Sequence, residues 1–504
     1  MWRTLPTIRN IDKEFFRFVL VSGALVAVSQ RSAGRLCLDL RPRKLSRVAN
    51  CAQSVAALCE PRIICRRYLR RSETAATGEE MKWRNQLLAL FCLLAFAGLG
   101  VLYFQHWVVR KPFGIILFIG EGLDPGRLAP TRAYAGGADA RLNLDSMSHL
   151  ALLTNYSKDF AAPDQAAAVT AIATGVRVNN RAIAVDGEGK PLTSIVELAR
   201  ENGRATGLVT DAKLTDPTSA AFYGHPADPN DVDSIAAEFV NGGKIDIAMG
   251  GGAAQFLPGA KGGERQDGRD LLLELRRNGF DIVRTRAELE AIPAWRRPKL
   301  FGAFSNAELA FANQVKERNE QPSLSDMVRR AIELLQYNAG GYLLVVDAGL
   351  MRKAARENNG ERTLGETVEL DRAVAIARRY TGQRSTIVVC GDVAIGGLSL
   401  NGFPFRKDSG IALLGPNSAG QPWITWATGP NGTKSYGAAK IPGKLDANQN
   451  EQPEAEQLEP AAFYTKSALG TVDDVIAFGS GPGTDELEGS VDNTIVFEIL
   501  RDEL

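Results

Sequence analysis

Apolar and polar positions follow one another along most of the chain in blocks that predict buried strands and amphipathic helices. Residues 114–120 form a short, β-branched apolar run that ends in glycine, the pattern of a strand buried on both faces. Thr193 begins a segment with apolar residues at helical spacing, which ends at Asn202-Gly203 before the apolar run Ala205–Val209. This order predicts a helix that connects two strands of a parallel sheet.

The same alternation recurs in the second half of the chain, where short loops marked by glycine separate the elements. The predicted elements there are the helices Met327–Tyr337 and Thr367–Tyr380 and the strands Tyr342–Val346, Thr386–Cys390, Asp474–Phe478 and Asn493–Phe497. Strands that alternate with helices indicate an α/β fold, with a large, mostly parallel sheet covered on both faces. In such sheets the ligand site lies beyond the carboxyl ends of the strands.

An uncharged apolar run at Leu87–Phe104 precedes the body of the chain, and its length just suffices to cross a bilayer as a helix. The basic excess on its N-terminal side predicts a membrane anchor with the body exported to the periplasmic or extracellular face. A cleaved signal peptide that starts at Met81 is the alternative, because Ala95-Phe-Ala97 resembles a cleavage site.

These patterns divide the chain into three parts. Residues 1–80 form a basic segment to which no function is assigned, residues 81–110 a signal-anchor or transmembrane helix, and residues 111–504 the body. The body contains a segment rich in Gly, Pro, Asn and Gln near 400–466, which predicts a long surface insertion with the polar stretch Asp446–Glu459.

Composition refines this division. The chain is 45% apolar and 23% charged, as in a globular protein, and its net charge is +1. The clustered arginines lie in residues 1–84, where a basic flank is explained by membrane topology, so nucleic acid is not an expected partner. Of six cysteines only Cys390 belongs to the body, which therefore forms no internal disulfide.

Seven motifs in the body carry a resemblance to a known family. They are IILFIGEG (115–122), DQAAAVTAIATGVRVNNRAIAVD (164–186), TGLVTDAKLTDPTSAAFYGH (206–225), DIAMGGGAAQFLP (246–258), LLVVDAG (343–349), LGETVELDRAV (364–374) and DDVIAFGSGPG (473–483). In order and spacing they resemble alkaline phosphatases. The resemblance implies a three-layer α/β/α sandwich, and a homodimer is expected because many relatives are dimers.

The resemblance also implies which residues stand at the catalytic positions. In this family a hydroxyl nucleophile attacks phosphorus between two zinc ions. The nucleophile's position holds Gln165, whose carboxamide is not nucleophilic. The positions of the zinc ligands hold Arg352, Arg356, Val393 and Gly470, and the chain's three histidines, His106, His149 and His225, lie at none of them. Zinc is therefore not an expected cofactor.

A set of oxygen donors remains at the positions of the family's supporting metal. They are Glu121, Thr218 and Asp347, with Asp216 beside them and Asp392 nearby as the one retained zinc ligand. Such hard donors suit one Mg²⁺ or Ca²⁺ ion. The alternative is a hydrogen-bonded polar cluster in which Arg352 or Arg356 supplies the positive charge.

Two functions follow as expectations. In the first, the protein is a non-catalytic relative that binds a phosphate-like anion or a protein partner through the old cleft, where Arg352 and Arg356 attract negative charge. In the second, it is a phosphomonoesterase with an altered site, in which Asp347 or Asp392 activates a water molecule beside a single metal ion.

Overall fold

The computed structural model describes residues 19–21, 24–26, 78–103, 113–296, 299–314, 319–382, 384–402, 422–433 and 459–504. The chain consists of two compact units, Met1–Phe104 and Gln105–Leu504. In the first unit, strands β1 (Val19–Val21) and β2 (Ala24–Val26) pair antiparallel, and helix α1 spans Gly78–Tyr103.

The apolar run predicted to cross a membrane at 87–104 is helical as far as Tyr103, within α1. Among the described residues, however, no helix is both long and apolar enough to serve as a membrane span. The prediction of a transmembrane helix at 87–104 is therefore not supported.

The second unit is built on one large sheet. Its strands, with those of a smaller sheet, are β3 (Gly114–Gly120), β4 (His149–Thr154), β5 (Ala205–Lys213), β6 (Ile247–Gly251), β7 (Phe280–Val283), β8 (Lys299–Ala303), β9 (Tyr342–Ala348), β10 (Thr386–Gly391), β11 (Ser399–Leu400), β12 (Ile424–Gly429), β13 (Gly432–Thr433), β14 (Ala461–Tyr464), β15 (Val475–Ser480) and β16 (Glu488–Asp492). The main sheet has 10 strands in the order β16-β4-β15-β10-β3-β9-β5-β6-β8-β7. Only β15 runs antiparallel to its neighbours β10 and β4, so the prediction of a mostly parallel sheet is confirmed.

Helices connect these strands and cover the sheet. They are α2 (Pro125–Gly136), α3 (Gln165–Thr174), α4 (Ile195–Glu201), α5 (Pro217–Ala220), α6 (Val232–Gly242), α7 (Leu271–Arg277), α8 (Arg286–Ala291), α9 (Leu324–Leu335), α10 (Leu350–Arg356), α11 (Gly360–Thr381) and α12 (Ile495–Asp502). Alternate residues of β3 enter two separate cores, since Ile115 and Leu117 belong to one and Ile116 and Phe118 to the other. A strand packed on both faces lies between two helical layers, so the α/β/α sandwich is confirmed.

The prediction of a final strand at Asn493–Phe497 is wrong. The structure has β16 at Glu488–Asp492, followed by helix α12 at Ile495–Asp502. Val496, Phe497, Ile499 and Leu500 are buried and recur at helical spacing, so they form one apolar face of a helix.

The predicted insertion near 400–466 contains a second, four-stranded sheet in the order β11-β12-β14-β13. Ile424, Trp426 and Ala461 form a core there with Leu364 of α11. Of the predicted polar stretch Asp446–Glu459, only Glu459 lies within the described residues. Its buried carboxylate accepts a hydrogen bond from the Gly360 backbone N–H at 2.7 Å.

Candidate functional site

The candidate site lies where four adjacent strands of the main sheet approach their carboxyl ends. In sheet order these strands are β10, β3, β9 and β5. Glu121 directly follows β3, Asp392 directly follows β10, and Asp347 is the penultimate residue of β9. Because these strands are parallel neighbours, their acidic residues meet at one edge of the sheet.

Glu121 is fully buried at the centre of this edge, and other side chains satisfy its carboxylate. Oε1 accepts hydrogen bonds from Gln165 Nε2 and Thr218 Oγ1, and Oε2 accepts one from Arg352 Nε at 2.5 Å. Gln165 Nε2 also donates to Thr218 Oγ1 at 2.5 Å. The carboxamide at the nucleophile's position is thus held by hydrogen bonds within the cluster.

The side chains that contact Glu121 lie on short helices or at the N-terminal ends of helices. Gln165 is the first residue of α3, whose N-cap Asp164 accepts a hydrogen bond from Ala167 N–H at 2.9 Å. Thr218 lies on the short helix α5, which follows β5. Arg352 lies in the first turn of α10, which begins just after β9. Each contact to Glu121 therefore comes from a different segment of the chain.

Arg352 joins two carboxylates. In addition to its bond with Glu121, Arg352 Nη2 donates to Asp216 Oδ2 at 3.1 Å. Burial alone would lower the pKa of Arg352, but the charges of Glu121 and Asp216 raise it above its usual value. Burial raises the pKa of Asp216, and Arg352 opposes that rise. The guanidinium is therefore a fixed positive charge in the cluster.

Asp347 and Asp392 flank the cluster, and each has hydrogen-bond partners for only one of its two carboxylate oxygens. Asp347 Oδ2 accepts hydrogen bonds from Thr210 Oγ1 at 2.8 Å and Ser219 Oγ at 3.3 Å. Asp392 Oδ1 accepts one from the Gly122 backbone N–H at 2.7 Å. Within the described part of the chain, the other oxygens, Asp347 Oδ1 and Asp392 Oδ2, are buried without a hydrogen-bond partner.

Burial shifts the titration of both groups. It raises the pKa of Asp392 to about 7, with the charge of Glu121 adding to the effect. It also raises the pKa of Asp347 well above its usual range, and Glu121 and Asp211 act in the same direction. Near neutral pH, the protonated carboxyl is therefore favoured at Asp347, whereas Asp392 titrates in this range.

Val393 and Gly470 fill a neighbouring corner with apolar volume. Val393 is buried, and Gly470 forms an antiparallel bridge with Ile395. A Cβ atom on Gly470 would lie 2.9 Å from Val393 Cγ1, closer than ordinary van der Waals contact. Neither Val393 nor Gly470 has a side-chain donor atom for a metal ion.

Arg356 lies one turn beyond Arg352 on α10 and is exposed in a cleft of about 520 Å³. Lys353 and Lys466 line the same cleft, together with Asp216, Glu308 and other residues. Lys353 Nζ pairs with Glu308 Oε2 at 3.0 Å. Among the described residues, Arg356 and Lys466 have no carboxylate within ion-pair distance, so the cleft contains two free cations. Burial and the charge of Arg352 lower the pKa of Arg356, but a guanidinium stays charged at neutral pH.

The residues present do not fit the metals that the resemblance implies. Two guanidinium groups, a valine and a glycine stand where the resemblance implies zinc ligands, and none of these side chains coordinates zinc. The oxygens of Glu121 already accept hydrogen bonds, one of them from a guanidinium. No three His, Cys, Asp or Glu side chains converge on a metal site in the part of the chain that the structure describes.

Comparison with known proteins identifies the family. Residues 114–504 match the family profile described as alkaline phosphatase. The chain belongs to the alkaline phosphatase family. It is 29% identical over 441 residues to the tissue-nonspecific alkaline phosphatase of Gallus gallus, which covers 76% of this chain and 83% of that protein. It is 32% identical over 333 residues to alkaline phosphatase H of Pseudomonas aeruginosa, which covers 56% of this chain and 70% of that protein.

Solved alkaline phosphatases share the fold. The enzyme of Thermus thermophilus aligns with a TM-score of 0.63 at 23% identity, over 79% of this chain and 92% of that one. A mutant alkaline phosphatase of the Antarctic bacterium TAB5, with Mg bound in its M3 site, aligns with a TM-score of 0.60 at 20% identity. That alignment covers 78% of this chain and 98% of the other. Members of the family thus use metal ions.

Sequence reasoning missed several residues that shape the site. Lys466 lies in the segment interpreted as a surface insertion, and no local pattern marks it as a cleft residue. Arg127 is fully buried and donates to the backbone oxygens of Glu121 at 3.5 Å and Ile395 at 3.4 Å. It thereby ties the loop after β3 to the loop after β10. An arginine within the first turn of a helix after Asp124-Pro-Gly was the only available signal.

Proposed function

We propose that this member of the alkaline phosphatase family does not hydrolyse phosphomonoesters and instead binds a phosphate-like anion in its basic cleft. The observation that carries the proposal is the position of Arg352, bonded at 2.5 Å to Glu121 and at 3.1 Å to Asp216. A guanidinium there supplies charge but cannot activate water or polarise a leaving group as a metal ion does.

The nucleophile's position supports the same conclusion. The Gln165 carboxamide donates hydrogen bonds to Glu121 and Thr218, and its nitrogen is delocalised. It therefore cannot form a covalent phosphoenzyme. Losing both the nucleophile and the metal ligands removes the two groups that lower the barrier for phosphoryl transfer in this family.

The free cations of the cleft support anion binding. Arg356 and Lys466 have no acidic partner among the described residues, and Arg356 lies on the same helix face as Arg352. Guanidinium groups bind phosphate oxygens through charge-assisted hydrogen bonds. The cleft volume of about 520 Å³ falls within the usual range for small-ligand pockets.

The test combines turnover with binding on the full chain. Hydrolysis of p-nitrophenyl phosphate is measured with zinc and magnesium supplied, and inorganic phosphate binding is measured by calorimetry. We expect no turnover above buffer, and the variant Arg356→Gln/Lys466→Gln should weaken phosphate binding at least about tenfold, or 1.4 kcal/mol. Arg276→Gln is the matched control, because Arg276 is an exposed arginine outside the cleft lining.

Two outcomes would contradict the proposal. One is phosphate binding that the double variant leaves unchanged, since the anion would then bind elsewhere. The other is substantial turnover in Gln165→Ser, because this single substitution supplies a hydroxyl but leaves the arginines at the zinc positions in place.

A second candidate function is a phosphatase with an altered site. It is favoured by the buried, unpartnered oxygen Asp392 Oδ2, because a carboxyl with a pKa of about 7 is partly ionised at neutral pH and can accept a proton from water. If the wild-type chain hydrolyses p-nitrophenyl phosphate, this candidate predicts that Asp392→Asn lowers kcat by at least about a hundredfold. Unchanged kcat in that variant would exclude Asp392 as the base.

Export of the body and formation of a homodimer stay predictions from the sequence. Export is predicted from the basic flank before the apolar run, and the homodimer is predicted because many family members are dimers. Both belong to this proposal because an exported, dimeric binding protein would present its cleft to ligands outside the cytoplasm. Cell fractionation and size-exclusion chromatography with light scattering would test them.

A further inference from the structure

The buried cluster around Glu121 contains its own cation. Arg352 contacts Glu121 Oε2 and Asp216 Oδ2 through two different nitrogens, and Glu121 is fully buried. We infer that the Arg352 guanidinium replaces a divalent ion, so that the protein folds without metal, and that shortening this side chain opens a site for Mg²⁺. This inference does not depend on whether the cleft binds an anion.

Removal of Arg352 would leave an oxygen-only set of donors. The buried Glu121 and the partly exposed Asp216 would each lose their charged partner, and a buried carboxylate without one is strongly destabilising. Asp347 gives an independent indication, because its side chain is 0% exposed and Oδ1 lacks a partner among the described residues. It is also close enough to Glu121 and Arg352 for their charges to act on it. The cluster thus has more acceptor atoms than donors.

Hard oxygen donors suit Mg²⁺, which binds through one or two carboxylates and keeps several water molecules. Glu121 and Asp216 can supply the carboxylates without a third acid converging on the ion. Asp216 and Arg352 both line the cleft of about 520 Å³, so a hydrated ion can reach the space that the guanidinium vacates. The same space is closed to metal in the wild-type chain because the guanidinium fills it.

The test is thermal unfolding of the full chain in EDTA and in about 10 mM MgCl₂. Wild type should unfold at the same temperature in both, within about 1 °C. The variant Arg352→Ala should unfold at a lower temperature than wild type in EDTA and gain about 2–5 °C from Mg²⁺. Arg276→Ala is the matched control, since it removes an exposed arginine outside the cleft and should gain nothing.

Arg352→Lys separates charge from volume. A lysine keeps one positive charge beside Glu121 and Asp216, so this variant should stay insensitive to Mg²⁺. The inference is overturned if wild type itself gains from Mg²⁺, or if Arg352→Lys responds as Arg352→Ala does. It is also overturned if Arg352→Ala folds without any response to the ion, or fails to fold both with and without it.

Discussion

At the scale of single residues, three buried acids on one sheet edge differ in how many of their carboxylate oxygens have hydrogen-bond partners. Glu121 has hydrogen-bond donors on both oxygens and a guanidinium beside it. Asp347 and Asp392 each have one oxygen bonded and one without a partner in the described chain. An ionised carboxylate in such surroundings is costly, so burial raises the pKa of both groups. Stability should therefore depend on pH through them.

We predict that Asp392→Asn makes stability less dependent on pH. The folded pKa of Asp392 is about 7, above its ordinary value, so the folded state binds more protons than the unfolded state between these values. The contribution of Asp392 to the free energy of unfolding is thus fully present at low pH, and it is lost as pH rises through about 7. Asn can still accept the bond from Gly122 N–H without this charge.

The measurement is denaturant unfolding of wild type and Asp392→Asn at pH 5 and pH 8. From pH 5 to pH 8, the free energy of unfolding of the variant should rise by roughly 1–3 kcal/mol relative to that of wild type. Asp485→Asn serves as the control, because Asp485 is an exposed acid on a short turn. Parallel pH profiles for wild type and the Asp392 variant would contradict the argument.

The residues of the site were partly predictable. Acids placed after buried strands had to meet at one edge, and Glu121, Asp347 and Asp392 do so because parallel strands align their carboxyl ends. Their hydrogen-bond partners were not predictable in the same way. The contact of Arg352 with Asp216 depends on the side-chain conformations of two elements distant in sequence, which no one-dimensional pattern encodes.

At the scale of elements, helix α3 holds Gln165 in place through its N-terminus. Asp164 caps the helix by accepting from Ala167 N–H at 2.9 Å, and it also accepts from Arg181 N–H at 2.7 Å. A cap that also holds a separate loop contributes to the order of both. The backbone at Arg181 has a positive φ of 70°, which makes an external bond to that loop more valuable.

We predict that Asp164→Ala lowers the free energy of unfolding by about 1–2 kcal/mol, because two backbone N–H groups lose their acceptor. Asp164→Asn retains one acceptor oxygen, which can still cap Ala167 N–H, so it should cost less than Asp164→Ala. Chemical denaturation of the three proteins is the measurement. Equal losses in the Ala and Asn variants would contradict a stabilising cap bond to Ala167 N–H.

Element prediction succeeded where burial was unambiguous. Residues 114–120 are apolar throughout and form β3 with the predicted bounds, because a strand buried on both faces needs no polar positions. The segment 493–497 failed because five residues do not separate a strand from the first turns of a helix. Only the later residues Ile499 and Leu500 complete the helical face.

At the scale of the whole molecule, the sheet and both of its cores consist of residues from 115 onward. The second compact unit begins at Gln105. A unit with its own core can fold by itself. We predict that a chain starting at Gln105 unfolds within about 2 °C of the full chain, because the residues that bury apolar surface in the sheet are all retained.

Differential scanning calorimetry of the two chains is the measurement, with circular dichroism as a check on the α/β content. A chain that starts at Ala205 is the control, since it lacks β3 and β4 and should not unfold cooperatively. A drop of more than about 5 °C on removing residues 1–104 would contradict the independence of the second unit.

Val393 and Gly470 fit together in size. This fit determines which substitutions could convert the site into one with histidine metal ligands. A histidine at 470 would collide with Val393 Cγ1, because even a Cβ atom would lie 2.9 Å from it. Replacing Arg352 first would leave Glu121 and Asp216 without their cation. Each of these two steps toward a histidine-bearing metal site is therefore destabilising when it is made alone. A directed-evolution campaign that accepts only stable intermediates would have to replace Val393 before it places a histidine at 470.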